Sequence, residues 1–179
     1  MPFLIAGLAL WSATHLFPVL ARGRRTRIVS AVGTHTYRGI FAMLILAAVT
    51  LMVFGWRSAV AIQVFQPPTW GASANYLLMA GSILLFVASG TKSNFKRLIR
   101  HPQLTGVLVW GIGHVLASGS SRSLILFGGL ILWAMVAITG INRRDGAWTK
   151  PDAVAKSRDV ILVILSAIAY FAVIFFHPN

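Results

Sequence analysis

Two stretches of the chain pair an indole with an imidazole at one spacing. Trp11 precedes His15 by four residues, and Trp110 precedes His114 by four. On a helix, positions i and i+4 share a face, so each pair would present one aromatic wall and one ring nitrogen to the same neighbour. Histidine can ligate a metal, move a proton or bond a second helix. Three further histidines, His35, His101 and His177, complete the set.

The remaining titratable residues narrow the choice. The chain has three Asp, at Asp145, Asp152 and Asp159, and no Glu. All three fall in or beside one late basic stretch, far from His15 and His114. A proton or cation pathway through a membrane usually shows an intramembrane carboxylate. A zinc hydrolase wants a third ligand and a carboxylate base. Neither accompanies these histidines. Cysteine is absent, which removes disulfides, thiolate metal sites, iron–sulfur clusters and c-type haem attachment. Two neutral imidazoles on separate helices can still grip an iron porphyrin from its two faces. The simpler alternative is that each makes an interhelical hydrogen bond.

His101 and His114 are thirteen residues apart, which on a helix is about 20 Å along the axis and about 140° around it. They cannot share one metal atom. His101 precedes Pro102, and proline suits the first helical turn; it reads as an interface residue or as a site residue at a cavity mouth. Gly111 shares the His114 face and leaves room for something flat. His35 reads as an interface residue. Arg38, one turn later, could meet a haem propionate or another anion, or snorkel to lipid phosphates. His177 is two residues from the end of the chain.

The elements that must position these groups are apolar. Of 179 residues, 57% are hydrophobic and 11% charged, against about 45–50% and about 25% in soluble domains. Mean hydropathy is +0.78. Six apolar segments can be drawn, at about Pro2–Ala21, Tyr37–Trp56, Asn75–Thr91, Pro102–Ser118, Ser123–Ile141 and Val160–Phe176. Each approaches the ~20 residues that cross a bilayer as a helix. The fold expected is an all-α, polytopic integral membrane bundle of six transmembrane helices, with five as the alternative, forming a single domain over residues 1–179. The first segment lacks the positive start and cleavage site of a signal peptide and is expected to remain as a membrane helix.

The net charge of +13 is topological. Arg22, Arg24, Arg25 and Arg27 follow segment one. Lys92, Lys96, Arg97 and Arg100 follow segment three. Arg143, Arg144, Lys150, Lys156 and Arg158 follow segment five. The other two connections hold only Arg57 and Arg122. That asymmetry puts the three basic connections in the cytoplasm and both termini outside. No basic stripe carries aromatics set for base stacking, so nucleic acid is not an expected partner. The short Gly119–Arg122 connection makes segments four and five a tight hairpin.

The stretch RHPQLTGVLVWGIGHVLASG, followed by SLILFGGLILWAMV and NRRDG, resembles the NnrU family of bacterial membrane proteins, as do THLFP in segment one and YRGIFAM in segment two. The resemblance implies a multi-pass protein of the bacterial inner membrane linked to nitrite and nitric oxide metabolism in denitrifiers. It also implies kinship with the haem b-dependent 15-cis-ζ-carotene isomerases. The family histidines match His15, His101 and His114. By that resemblance the axial pair is His15 and His114, with His35 and His101 as alternatives. Trp11, Trp110, Gly111 and Arg38 would line the haem b site. RHPQLTG is also similar to a block of the isoprenylcysteine and phospholipid methyltransferases, but their pattern continues with a glutamate that this chain lacks.

Three functions therefore stand open. One is a haem-binding accessory or sensor protein for nitric oxide or nitrite metabolism. Another is an isomerase or redox enzyme acting on a lipophilic polyene. The last is a structural membrane protein whose histidines only join helices. The bilayer is the expected surrounding in all three, with nitric oxide or a lipophilic small molecule as the further partner in the first two.

Overall fold

A computed structural model of the chain describes residues 1–176; His177 lies outside the described residues. The chain is all-helical, with α1 at Pro2–Leu20, α2 at Arg22–Val32, α3 at Thr34–Ser58, α4 at Gly71–Gly90 and α5 at Pro102–Ser118. Helix α6 spans Ser121–Asp145 and α7 spans Lys156–Phe176. A 3₁₀ turn, Asn94–Arg97, sits between α4 and α5. No strand forms among the described residues; one isolated bridge joins Gln63 to Ser120.

Helices α1, α3, α4, α6 and α7 are long and apolar enough to cross a membrane. Helix α5 has 17 residues, at the short end of the ~17–25 that can span. Its N-terminus falls where the sequence puts it, with Pro102 in the first turn and His101 at the cap. Large apolar side chains such as Met43, Leu77, Leu132, Ile164 and Phe171 are exposed around the bundle. Water would not tolerate so extensive an apolar belt, whereas hydrocarbon does, and the protein is a polytopic membrane protein.

Small residues set the helix order. Gly55 of α3 abuts Leu4 of α1, and Gly7 of α1 abuts Ala48 and Met52, so these helices run antiparallel with their backbones in contact. A Cβ on Gly7 would stand 2.7 Å from the Ala48 carbonyl oxygen, which explains the glycine there. Gly113 meets Asn75 and Gly106 meets Ser82, which pairs α5 with α4 antiparallel. The buried Ser82 hydroxyl donates to the Gly106 carbonyl at 2.9 Å. Gly129 and Gly140 of α6 face Leu8 and Val19 of α1, so α6 runs parallel to α1. Asn94 beside Asp159, and Tyr170 beside Tyr76, place α7 antiparallel to α4. The first residues of α1 and the last described residues of α7 thus share one end of the bundle. The basic connections share the other.

The basic stretch from Arg22 to Arg27, expected from sequence only as a connection after segment one, lies instead in a helix, Arg22–Val32. Its charges show no amphipathic period because it buries no residue, so periodicity had no face to register. The hairpin at Gly119–Arg122 forms as expected. Gly119 takes φ +38°, a left-handed conformation that glycine adopts at little cost.

Candidate functional site

Helix α3 packs on α1 and α2 and makes no extensive contact with α4 or α5. The space left between these groups is a cavity of about 1180 Å³, above the ~300–1,000 Å³ usual for small-molecule sites. Its α6 wall runs from Leu126 to Ile141, roughly 22 Å of helix. Trp11, Trp110, Phe127 and Trp133 supply aromatic walls. At the end away from the basic connections the floor is Trp56, over which the Arg122 guanidinium lies 4.6 Å from the ring centre. At the basic end the lining includes Lys96, Arg100, His101 and, from the α6–α7 connection, Trp148 and Pro151.

His15 lines this cavity. Its Nδ1 lies 3.0 Å from the Trp11 carbonyl oxygen. A carbonyl only accepts, so Nδ1 carries the hydrogen and Nε2 keeps its lone pair. That tautomer is the one a metal ligand needs, and the carbonyl bond fixes the ring as an outer partner does in metal sites. Trp11 packs on the imidazole with centroids 4.1 Å apart. Trp133 meets it edge-on at 5.3 Å and Phe41 at 5.5 Å. The indole N–H groups of Trp11 and Trp133 are buried with no hydrogen-bond partner. His15 lies about 9 Å, six residues, below the basic end of α1 at Ala21.

The second indole–imidazole pair repeats the local bond but meets a different neighbour. Nδ1 of His114 lies 2.9 Å from the Trp110 carbonyl. Its ring stacks on Phe127, centroids 4.3 Å apart and planes 27° from parallel. Trp110 and Phe127 line the cavity; His114 does not. Residues Leu124–Gly128 form a π turn within α6. Such turns add a residue to the helical circuit and often mark functional places. Here successive residues Leu126 and Phe127 both reach the cavity wall. The flat neighbour that Gly111 admits is α6 itself: Ile131 side-chain atoms and the Phe127 carbonyl lie against it.

His101 lines the basic end of the cavity. Its Nε2 is 2.8 Å from Asn142 Oδ1, so that nitrogen donates to α6 and is not available as a ligand. Arg100 donates to the Gly146 carbonyl at 2.8 Å. Asn94 completes the basic end. Its side chain donates to Asp159 Oδ2 at 2.7 Å and to the Val154 carbonyl at 2.9 Å, and accepts from the Val154 N–H at 3.0 Å. Its backbone N–H donates to Asp159 Oδ1 at 2.8 Å. The segment carrying Trp148 and Pro151 is thus tied at both ends.

The structure brings Trp11, His15, Trp110 and His101 of the sequence candidates to one cavity. His35 is exposed. Arg38 lines a separate small pocket with Arg25. Sequence reasoning passed over Trp133, Phe127 and Trp148 as ordinary apolar residues, and Lys96 and Arg100 as topology charges. Composition carries no signal that would separate them from the other aromatics and cations. Among the described residues no three His, Cys, Asp or Glu side chains come together to hold a bare metal ion.

The family model described as NnrU protein matches residues 3–179. The chain belongs to the NnrU family. No curated protein and no solved structure matches it. The NnrU match covers nearly every residue just described, so the cavity, both indole–imidazole pairs and the Asn94 tie all lie within the family's domain.

Proposed function

We propose that this NnrU protein is a haem b-binding protein of the bacterial inner membrane, with His15 as the iron ligand. The observation that carries the reading is the His15 ring: its Nδ1 is committed to the Trp11 carbonyl, its Nε2 lone pair is kept, and it lines an aromatic cavity. The donor set fits the group. A porphyrin brings its own four nitrogens, so one imidazole suffices where no three-ligand cluster exists. Trp11, Trp133 and Trp110 suit its faces. Lys96 and Arg100 would take its two carboxylates at the basic end, where no acid side chain lines the cavity.

His15 would hold the iron, its tautomer set by the Trp11 carbonyl. His114 acts one step removed, by holding Phe127 against the wall. His101 and Asn142 hold α5 to α6 at the mouth. A haem held by His15 would supply an iron centre able to take up a diatomic gas such as nitric oxide. That supports an accessory or regulatory role in nitrite and nitric oxide metabolism, in line with the family. The six-span topology, basic connections in the cytoplasm and both termini outside, belongs to the same reading. It is supported by the charge asymmetry and the alternating helix directions.

The test is haem content and spectrum of the purified protein and of His15→Ala, His101→Ala and His114→Ala. The reading expects loss of haem in the first and retention in the other two. Equal retention in all three would refute the ligand assignment.

A second reading has its own observation. The cavity runs roughly 22 Å along α6 and α3 stands off α4 and α5, which suits a long lipophilic polyene arriving from the bilayer. Incubation of haem-loaded protein with a cis-configured polyene, followed by chromatographic separation of isomers, tests it. An unchanged isomer ratio removes the isomerase reading and leaves the haem reading standing.

A further inference from the structure

A second pocket, of about 310 Å³, lies at the basic end of the α1–α3 pair and is lined by Pro18, Arg25, Tyr37, Arg38 and Phe41. Phe41 divides it from the large cavity, since its ring meets His15 edge-on at 5.5 Å. The two guanidinium groups come from different helices, α2 and α3. Arg25 is placed over Tyr37, 5.5 Å from the ring centre.

Neither arginine has a protein anion. Residues 1–144 contain no Asp or Glu, and among the described residues the one ion pair joins Arg144 to Asp145. Arg25 and Arg38 line the same pocket with no carboxylate beside them, which leaves the pocket suited to an outside anion. Guanidinium pairs of this kind suit the oxygens of a phosphate. Below the arginines the lining turns apolar at Pro18 and Phe41, and the adjoining surface carries exposed Leu20, Ile40 and Leu44. A free phosphate has no use for that surface; an acyl chain does.

We propose that this pocket binds one anionic phospholipid, its phosphate between Arg25 and Arg38 and its acyl chains along the α1–α3 face. Helix α2, with Arg22, Arg24, Arg25 and Arg27 exposed and no buried residue, is then an interfacial helix lying on the headgroups. The site is independent of haem binding and would stand if that reading failed.

The test is native mass spectrometry of the detergent-purified full chain, titrated separately with phosphatidylglycerol and with phosphatidylcholine. Inorganic phosphate serves as competitor. Each basic residue near an anionic headgroup contributes about fivefold in affinity. Arg25→Gln with Arg38→Gln is therefore expected to weaken phosphatidylglycerol binding about 30-fold. Arg24→Gln with Arg27→Gln removes the same charge from α2 outside the pocket and is expected to weaken binding no more than about fivefold. Three results would overturn the proposal: equal weakening in both double variants, equal affinity for the two lipids, or displacement of the lipid by millimolar phosphate. The first would show diffuse charge attraction, the second a non-specific apolar contact, and the third a soluble anion as the true ligand.

Discussion

Replacing Asn94 by alanine should loosen the cover of the cavity. The Asn94 side chain makes three hydrogen bonds across about 60 residues of sequence, two with the Val154 backbone and one with the Asp159 carboxylate. The backbone N–H bond to Asp159 would survive the change. Neutral hydrogen bonds contribute about 0.5–1.5 kcal/mol net, and those to a charged group about 1.5–3. The site is half-buried, so water would replace part of this, and about 2 kcal/mol is the expected loss. At 1.4 kcal/mol per factor of ten, the open form of residues 146–155 should rise roughly 30-fold. Hydrogen exchange at the Val154 amide, which now donates to Asn94 Oδ1, reads this directly. If the proposed haem binding holds, haem should also dissociate faster from this variant, because Trp148 and Pro151 wall the same cavity. If exchange over 146–155 were unchanged in Asn94→Ala, the segment would be held by something other than this tie.

Gly55→Ala would place a Cβ 2.6 Å from the Leu4 Cα and 2.8 Å from the Phe3 carbonyl carbon. Overpacking of that kind costs about 1–3 kcal/mol, so thermal unfolding in detergent should drop, whereas Gly81→Ala, which meets nothing within 4 Å, should not lower it. A periplasmic-active reporter fused after residue 179 should be active and a cytoplasm-active one silent; the reverse result would contradict the six-span topology.

The bundle was legible where composition alone decides. Apolar runs must leave water, and α5 starts at Pro102 and stops before Gly119 as the sequence has it, whereas α7 begins at Lys156, four residues ahead of the apolar run at Val160, because its charged first turn carries no apolar signal. Helix α2 was not legible, because a helix buried on no side leaves no period in its sequence. The site was half legible. The two indole–imidazole pairs are identical in spacing, and both make the same bond to the carbonyl four residues back. What separates them is tertiary: a π turn in α6 brings Phe127 onto His114, while His15 is left on the cavity wall. The tie between Asn94 and Asp159 joins residues 65 positions apart, and no local pattern announces such a bond. Arg38, read from sequence as a propionate or lipid-phosphate partner, sits with Arg25 because Phe41 stands between it and the cavity.

The most direct test of the account is the optical spectrum of the purified protein, oxidised and dithionite-reduced, with pyridine haemochrome quantitation, set beside His15→Ala. The account predicts a Soret band corresponding to one haem b per chain, lost in His15→Ala while the variant still inserts in the membrane. A wild-type protein that stays colourless when haem is supplied during expression, or a His15→Ala variant with the wild-type spectrum, would contradict it.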